Sequence, residues 1–244
     1  MEPLFEAQKK KSTVDTVIDS IRQLLLRKKL RPGQKIPSEA EIAEGLAVSR
    51  GSVREAMKIL SAFGIVDIKV GDGTYIASEP KSAIIDPLLF NIMLCNPDHQ
   101  ELSEFRKRIE LVIVELIIEH KGENKSEREE LAKNLRELER LQGEPSKIED
   151  FSRNDMDFHR LLGKACRNRI AQKVYDFVLD YLEQSILDTH LGQTGGGRAY
   201  ATHSQILEAI RLNDIDLAKQ AVYHSVDVWK QLQANEADGS AAGK

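Results

Sequence analysis

Apolar positions follow a helical repeat along most of the chain. Between residues 13 and 30 they recur every three or four positions, which predicts a first amphipathic helix. The turn signal Arg31-Pro32-Gly33 ends this helix. In the segment PSEAEIAEGL, Ser38 stands three residues before Glu41, the spacing of a capping box, and predicts the start of a second helix.

A third helix and a hairpin follow the second helix closely. Ser49 is a good N-cap for a helix that begins with RGSVREAMKIL. Two β-rich runs come next, at residues 65–70 and 74–77, and Gly71-Asp72-Gly73 separates them as a hairpin turn would. The order of helix, helix-turn-helix and β-hairpin predicts a winged helix-turn-helix.

The rest of the chain carries no strand signal. Helical stripes follow one another from about residue 86 to residue 233, which predicts an all-α bundle. The first stripe consists of Leu102, Phe105, Ile109, Val112 and Leu116. We therefore expect a mainly α protein with four regions: a winged helix-turn-helix at 10–78, a linker at 79–86, a helical domain at 87–235 and a disordered tail at 236–244.

Composition adds a local charge difference. The 244-residue chain has a net charge of −4, so no basic field covers the whole molecule. Residues 1–80, however, carry 13 Lys and Arg against 11 Asp and Glu, whereas the remainder carries 22 against 28. Two widely separated cysteines make no disulfide framework, and no apolar run reaches the roughly 18 residues of a membrane span. We expect a cytoplasmic protein without a membrane partner.

The start of the third helix has the residues of a DNA-reading surface. Recognition helices place their N-terminal residues in the major groove, where Arg50 and Arg54 can reach guanine edges or phosphates. Gly51 and Ser52 are small enough to allow close approach. The candidate phosphate and minor-groove contacts are Lys58, Lys69 and the wing tip at Gly71. Taken alone, the two arginines would also suit a solvated basic face.

Residues 31–78 closely resemble the winged helix of GntR-family bacterial transcription regulators. The specific marks are PG, P-S-E, LA, VSR, VREA and G-x-G-T. The resemblance implies DNA contacts from the first turns of the third helix and from the wing. The family usually has arginine where this chain has Ala40, so one common DNA anchor is missing here.

Four polar residues occupy inward faces in the second region. Helical spacing places Asp155 and His159 on one apolar stripe, His203 on a second, and His224 in line with Ala221 on the last helix. Burying such groups is costly unless they are paired or bind a metal. Three imidazoles and a carboxylate can hold a divalent transition metal such as Zn²⁺ or Ni²⁺. Each histidine could instead be a core residue that a neighbour satisfies.

Residues 86–233 resemble the FCD domain of the FadR subfamily of GntR regulators. The resemblance is carried by EFRKRIE, DMDFHRLLGKACRN and HSQILEAIRLND. It implies a metal held by an aspartate, a histidine four residues later and two further histidines. The last of these usually falls where this chain has Ser225, and His224 is one residue early, about 100° around a helix.

An inward arginine completes the candidate site. Arg106 shares a face with Ile109 and Ile113 and could clamp a carboxylate ligand with two parallel hydrogen bonds. The resemblance associates an arginine at this place with the effector pocket. The simpler alternative is an intrahelical ion pair between Arg106 and Glu110.

These features together predict a dimeric regulator rather than an enzyme. Two recognition helices would bind half-sites of a palindromic DNA operator. A small organic acid or sugar acid, bound by the metal and Arg106, would change operator affinity, with repression as the commoner arrangement implied by the resemblance. The alternatives are a metal-free regulator of an apolar or acyl-type effector, a metal-dependent hydrolase, and a structural DNA binder without sequence preference.

Overall fold

The structure of the protein, a computed structural model, describes residues 12–79, 87–142, 145–191 and 197–241. The chain divides into two compact units between Asn91 and Ile92. Residues 80–86, which form most of the predicted linker, lie outside the described residues. Within the described ranges, no helix combines the length and the apolarity needed to cross a membrane.

The N-terminal unit consists of three helices and one two-stranded antiparallel sheet. Its elements are α1 (Thr13–Leu26), α2 (Glu39–Leu46), α3 (Arg50–Ala62), β1 (Val66–Lys69) and β2 (Gly73–Ile76). In the sheet, Val66 pairs with Ile76 and Lys69 pairs with Gly73. The predicted winged helix-turn-helix is confirmed. Strand β1 is one residue shorter at each end than expected, and β2 begins and ends one residue earlier.

Local side-chain caps start α2 and α3 where the sequence predicts them. Ser38 and Glu41 form a complete capping box, and the Ser49 hydroxyl accepts a hydrogen bond from the backbone of Ser52. Ala47 ends α2 in the left-handed region with φ of 53°, which turns the chain toward α3. The buried residues of α3 are Val53, Ala56, Met57 and Leu60. The opposite face of α3 is therefore left for solvent or a partner.

The helical unit is all-α over its described residues, apart from one short 3₁₀ turn. The boundary between the two units falls within α4 (Pro87–Cys95). The helices after it are α5 (His99–Glu119), α6 (Lys125–Leu141), α7 (Ile148–Ala165), α8 (Arg169–Leu191), α9 (Gly197–Leu212) and α10 (Ile215–Ala241). Helix α7 packs between α6 and α8, and α10 packs against α5 and α9. The core they share includes Phe158, Tyr175, Leu179 and Ile206, all fully buried.

Helix α5 buries a different face from the predicted one. Phe105 and Val112 are 47% and 42% exposed, whereas Ile113 and Ile117 are fully buried. The apolar residues of α5 surround most of its circumference, so their spacing alone does not select the inward side. Which face is inside depends on the neighbouring helices.

The last helix is longer than expected. Helix α10 continues to Ala241, although we expected irregular structure from residue 236 onward. The segment lacks proline, but Asp238, Gly239 and Ser240 are poor helix formers, so local propensity does not account for the continuation.

Candidate nucleic-acid interface and buried polar cluster

A row of positive side chains follows the exposed face of α3. Arg50, Arg54 and Lys58 stand four residues apart, and all three are exposed. Their backbone positions span about 12 Å at the rise of an α-helix, which suits the major groove. The structure brings these predicted residues together on one surface, and their contacts with DNA remain predictions.

The two small residues at the start of α3 have different surroundings. A Cβ atom added to Gly51 would meet only the Ser49 hydroxyl, at an ordinary 3.6 Å. The fold therefore does not require glycine at this position. Ser52, by contrast, has its hydroxyl 2.9 Å from those of Thr13 and Ser49. Ser52 thus links α3 to α1, a structural role that the sequence did not reveal.

Arg54 is paired with a carboxylate from the neighbouring helix. Its Nε lies 3.1 Å and its NH2 2.9 Å from Oε2 of Glu39, the first residue of α2. Arg54 is among the residues predicted from the sequence, whereas Glu39 is not. No sequence spacing indicates this contact, because it crosses the turn between two helices.

The wing is ordered by polar contacts around Tyr75. The Tyr75 hydroxyl donates to Asp72 at 2.9 Å, and the Lys35 ammonium lies 3.2 Å from the same carboxylate. These two contacts, the tyrosine first, hold the pKa of Asp72 below its ordinary value. The Lys69 ammonium lies 4.4 Å from the centroid of the Tyr75 ring. Lys69 and Gly71 are exposed at this wing, as a role in DNA binding requires.

Three of the four predicted metal ligands come together inside the helical unit. Asp155 and His159 on α7 and His203 on α9 are buried, and one donor atom of each lies within 4.8 Å of the others. Nε2 of His203 is 3.4 Å from Oδ1 of Asp155. The rings of His159 and His203 meet edge to face, with centroids 5.0 Å apart.

His159 is held from both sides by residues of α5 and α8. NH2 of Arg106 lies 3.4 Å from Nε2, and the Tyr175 hydroxyl lies 3.0 Å from Nδ1. Because a guanidinium only donates, its hydrogen bond to Nε2 requires the lone pair there, so the proton of the neutral ring is on Nδ1. Nδ1 then donates to Tyr175, which donates to Glu110 Oε2 at 3.1 Å.

Burial sets the protonation state of two groups in the cluster, Tyr175 and His203. Desolvation, and then the Glu110 carboxylate, raise the pKa of Tyr175, so its hydroxyl remains a donor. Desolvation lowers the pKa of His203 to about 3, which makes this imidazole neutral at physiological pH. His203 also stacks on Phe158, with ring centroids 3.9 Å apart. A neutral imidazole is the form that binds metals.

The residues of the cluster fit a divalent transition metal. A metal about 2.1 Å from each donor needs donors no more than about 4.2 Å apart, so a small contraction of the observed arrangement is enough. Nδ1 of His203 is buried and has no hydrogen-bond partner among the described residues. Two imidazoles and one carboxylate form a donor set that suits Zn²⁺ or Ni²⁺.

Arg106 faces inward, as predicted, and also forms the alternative intrahelical ion pair. Its side chain is almost completely buried, and its Nε lies 3.5 Å from Oε2 of Glu110. The sequence analysis weighed Glu110 only as this partner and did not identify Tyr175. The spacing of four between Arg106 and Glu110 was the available signal. Nothing in the sequence placed Tyr175, since it comes from α8.

The prediction that His224 faces the interior is wrong. His224 is exposed, and its Nδ1 lies 2.9 Å from Oε1 of Gln205. Val222, Ser225 and Val226 are the buried residues of this turn of α10. The apolar stripe used for the prediction passes beside His224 rather than through it. The position that the family resemblance gives to the fourth ligand holds Ser225, a buried hydroxyl.

Models of two protein families match the chain, one over the winged helix-turn-helix and one over the helical region. Residues 13–76 match the gntR family of bacterial regulatory proteins, and residues 101–227 match the FCD domain. The first match covers the three helices and the wing. The second covers the helices that carry the buried polar cluster.

Similar proteins support both matches. The chain is 30% identical to the HTH-type transcriptional regulator LutR of Bacillus subtilis, over 74% of this chain and 83% of LutR. It is 29% identical to the Uxu operon transcriptional regulator of Escherichia coli, over 86% and 82%. Among solved structures, a GntR protein of Streptococcus agalactiae has a TM-score of 0.59 and 25% identity, covering 89% of this chain and 99% of its own.

A Gly51→Ala variant tests whether glycine at this position is required for folding or for DNA binding. We expect Gly51→Ala to leave the N-terminal unit folded and to stabilise it by up to about 1 kcal/mol, because alanine favours a helix. Operator affinity should fall, because the added methyl group would lie on the surface where we predict that DNA approaches α3. Thermal unfolding and a DNA-binding titration on the same preparation test this. Unchanged affinity would show that the start of α3 does not approach DNA closely.

Proposed function

We propose that this chain, which belongs to the GntR family of bacterial regulatory proteins and carries an FCD domain, is a repressor that a small carboxylate effector releases from DNA. Proteins of this family are transcription regulators and not enzymes, and the FCD domain is the effector-binding part. The carboxylate effector is supported by the buried cluster of Asp155, His159 and His203 with Arg106 beside it. Relatives named NanR repressors, 28% identical to this chain, support the sign of the regulation.

Asp155, His159 and His203 would hold a divalent transition metal. When bound, it would act as a Lewis acid for an oxygen of the effector. The three residues leave coordination positions for such an oxygen, because His224 is on the outside of α10. An open position is the feature that distinguishes a ligand-binding metal site from a closed structural one.

The formal charges of the cluster favour an anionic effector. Without metal, the carboxylates of Glu110 and Asp155 outnumber the single guanidinium of Arg106, so the cluster carries one net negative charge. A divalent cation reverses this to one net positive charge in a buried setting, where electrostatic interactions are strong. A small carboxylate would neutralise that charge, and Arg106 could contribute two parallel hydrogen bonds to it.

Metal binding and the position of Arg106 are coupled in this proposal. The guanidinium now donates to the Nε2 lone pair of His159. A metal on Nε2 would use the same lone pair, so Arg106 would have to leave it. The displaced guanidinium would then be available to the effector's carboxylate.

The regulator would act as a homodimer on a palindromic operator. Phe105 and Val112 form an exposed apolar strip on α5, together with half-buried Leu102, Ile109 and Leu116. A second copy of this chain is the occupant we assign to this strip, because two winged helices need a two-fold arrangement to bind two half-sites.

The metal proposal can be tested with two histidine variants. Purified protein is expected to contain about one Zn²⁺ or Ni²⁺ per chain by elemental analysis. His159→Ala should lose the metal, because one of three protein donors is removed, whereas His224→Ala should keep it, because His224 is exposed. Circular dichroism confirms that both variants are folded. Equal metal content in the wild type and His159→Ala would contradict the assigned site.

The effector proposal can be tested by thermal shift with organic and sugar acids, before and after chelation. One acid should raise the Tm of the helical unit, lose this effect on chelation, and weaken operator binding. Arg106→Lys, which keeps a cation beside Glu110, should bind that acid about tenfold more weakly, because it lacks the planar fork. An acyl ligand that stabilises the chelated protein instead would favour the metal-free alternative.

The dimer proposal can be tested by a charge on α5. Phe105→Glu should convert a dimer to a monomer in light scattering and reduce operator affinity. Ile170→Glu is the matched control, since Ile170 is 79% exposed on α8 and is not part of the strip. A Phe105→Glu dimer with the wild-type dissociation constant would rule out this strip as the interface.

A further inference from the structure

The contact between Arg54 and Glu39 joins the two helices of the helix-turn-helix. Arg54 is on the exposed face of α3, with its side chain 63% exposed, and Glu39 is 34% exposed. Oε2 of Glu39 accepts from both Nε and NH2 of Arg54, at 3.1 and 2.9 Å. The carboxylate therefore meets one side of the guanidinium along two of its nitrogens.

This contact leaves the end of the guanidinium available. A guanidinium has five N–H donors, and the edge formed by NH1 and NH2 is separate from the edge formed by Nε and NH2. Glu39 occupies the edge of Nε and NH2, and the remaining edge of NH1 and NH2 can donate to O6 and N7 of guanine in parallel. Glu39 consequently fixes the rotation of the group without occupying the edge that would read a base.

Glu39 itself has a defined position. It is the first residue of α2, directly after the N-cap Ser38, whose capping box with Glu41 starts the helix. A carboxylate at a helix N-terminus is stabilised by the exposed backbone N–H groups and the helix dipole. Its neighbour Ala40 is uncharged, so the carboxylate faces no cation from the next residue along α2.

The pair contributes little to stability, because Arg54 is largely exposed and Glu39 is partly exposed, so solvent screens the ion pair. Near DNA its effect is different. A carboxylate next to the recognition helix repels every phosphate backbone, so it weakens binding to all sequences alike. The Glu39 carboxylate favours only a base contact that requires the Arg54 guanidinium in the orientation that Glu39 holds.

We infer that Glu39 is a positioning residue that orients Arg54 to read one guanine and thereby sets the specificity of operator recognition. The inference rests on the proposed DNA contact of Arg54. Glu39 would increase discrimination in two ways, by lowering affinity for non-specific DNA and by reducing the freedom of the arginine that contacts the operator.

The test uses full-length protein and an operator obtained by in vitro selection with the wild type. Dissociation constants are measured at one salt concentration for this operator, for variants with each guanine replaced, and for non-specific DNA. The proteins are wild type, Glu39→Gln, Arg54→Ala, the double variant, and Glu44→Gln. Glu44 is an exposed glutamate near the end of α2, so its variant removes the same charge at a different place.

Glu39→Gln should bind non-specific DNA more tightly and lose about tenfold in the ratio of specific to non-specific affinity. Glu39→Gln should lose discrimination at the same guanine position as Arg54→Ala. The double variant should have the same specificity as Arg54→Ala. Glu44→Gln should keep the wild-type ratio, and the Tm of Glu39→Gln should be unchanged.

The outcomes separate this inference from the proposal it rests on. If Arg54→Ala discriminates every guanine as the wild type does, Arg54 does not read the operator and both ideas are overturned. If Arg54→Ala loses one guanine while Glu39→Gln keeps it, the DNA contact stands and the positioning role of Glu39 is overturned. If Glu44→Gln lost as much specificity as Glu39→Gln, the effect would come from the net charge of the domain. That result would also overturn the positioning role of Glu39.

Discussion

The arrangement of the helical unit depends on one buried guanidinium. The Arg106 side chain is within the core, where a charge is tolerated only if other groups pair with it. Glu110 supplies the opposite charge from the same helix, and His159 lies beside the guanidinium from α7. The inward face of α5 carries this charge pair together with Ile113 and Ile117, and Phe105 is left outside. The buried face of α5 is thus one on which the charged groups have partners on the same helix and on α7.

Local signals made the N-terminal unit predictable, and helical spacing gave the inward positions of Asp155, His159, His203 and Arg106. Capping residues and turn glycines act within a few positions of the chain, and Asp155 and His159 are on one face of one helix. The rest required tertiary information. Tyr175 completes the cluster from α8, and no periodicity connects that helix to α7. His224 was misplaced because a shift of one residue on a helix moves a side chain by about 100°, which is the difference between Ser225 inside and His224 outside.

Each unit contains an ion pair between an arginine and a glutamate, and the two pairs have opposite consequences for stability. Arg54 is exposed and Glu39 is partly exposed, so their ion pair contributes little to folding and mainly affects a molecule that approaches α3. Arg106 and Glu110 are buried, so removing either one leaves an uncompensated charge and destabilises the fold strongly. Exposure therefore determines which pair can vary with function and which must be kept for folding.

An effector changes operator affinity only if it binds two states of the protein with different affinity. The buried cluster is suited to such a difference, because its side chains come from α5, α7, α8 and α9, and a ligand there would act on four helices together. Among these helices, α5 is nearest in sequence to the winged helix, with α4 and residues 80–86 between them. It carries both Arg106 and the exposed apolar strip. A movement of Arg106 would therefore act on the helix that, in the proposed dimer, connects ligand binding with the contact between subunits.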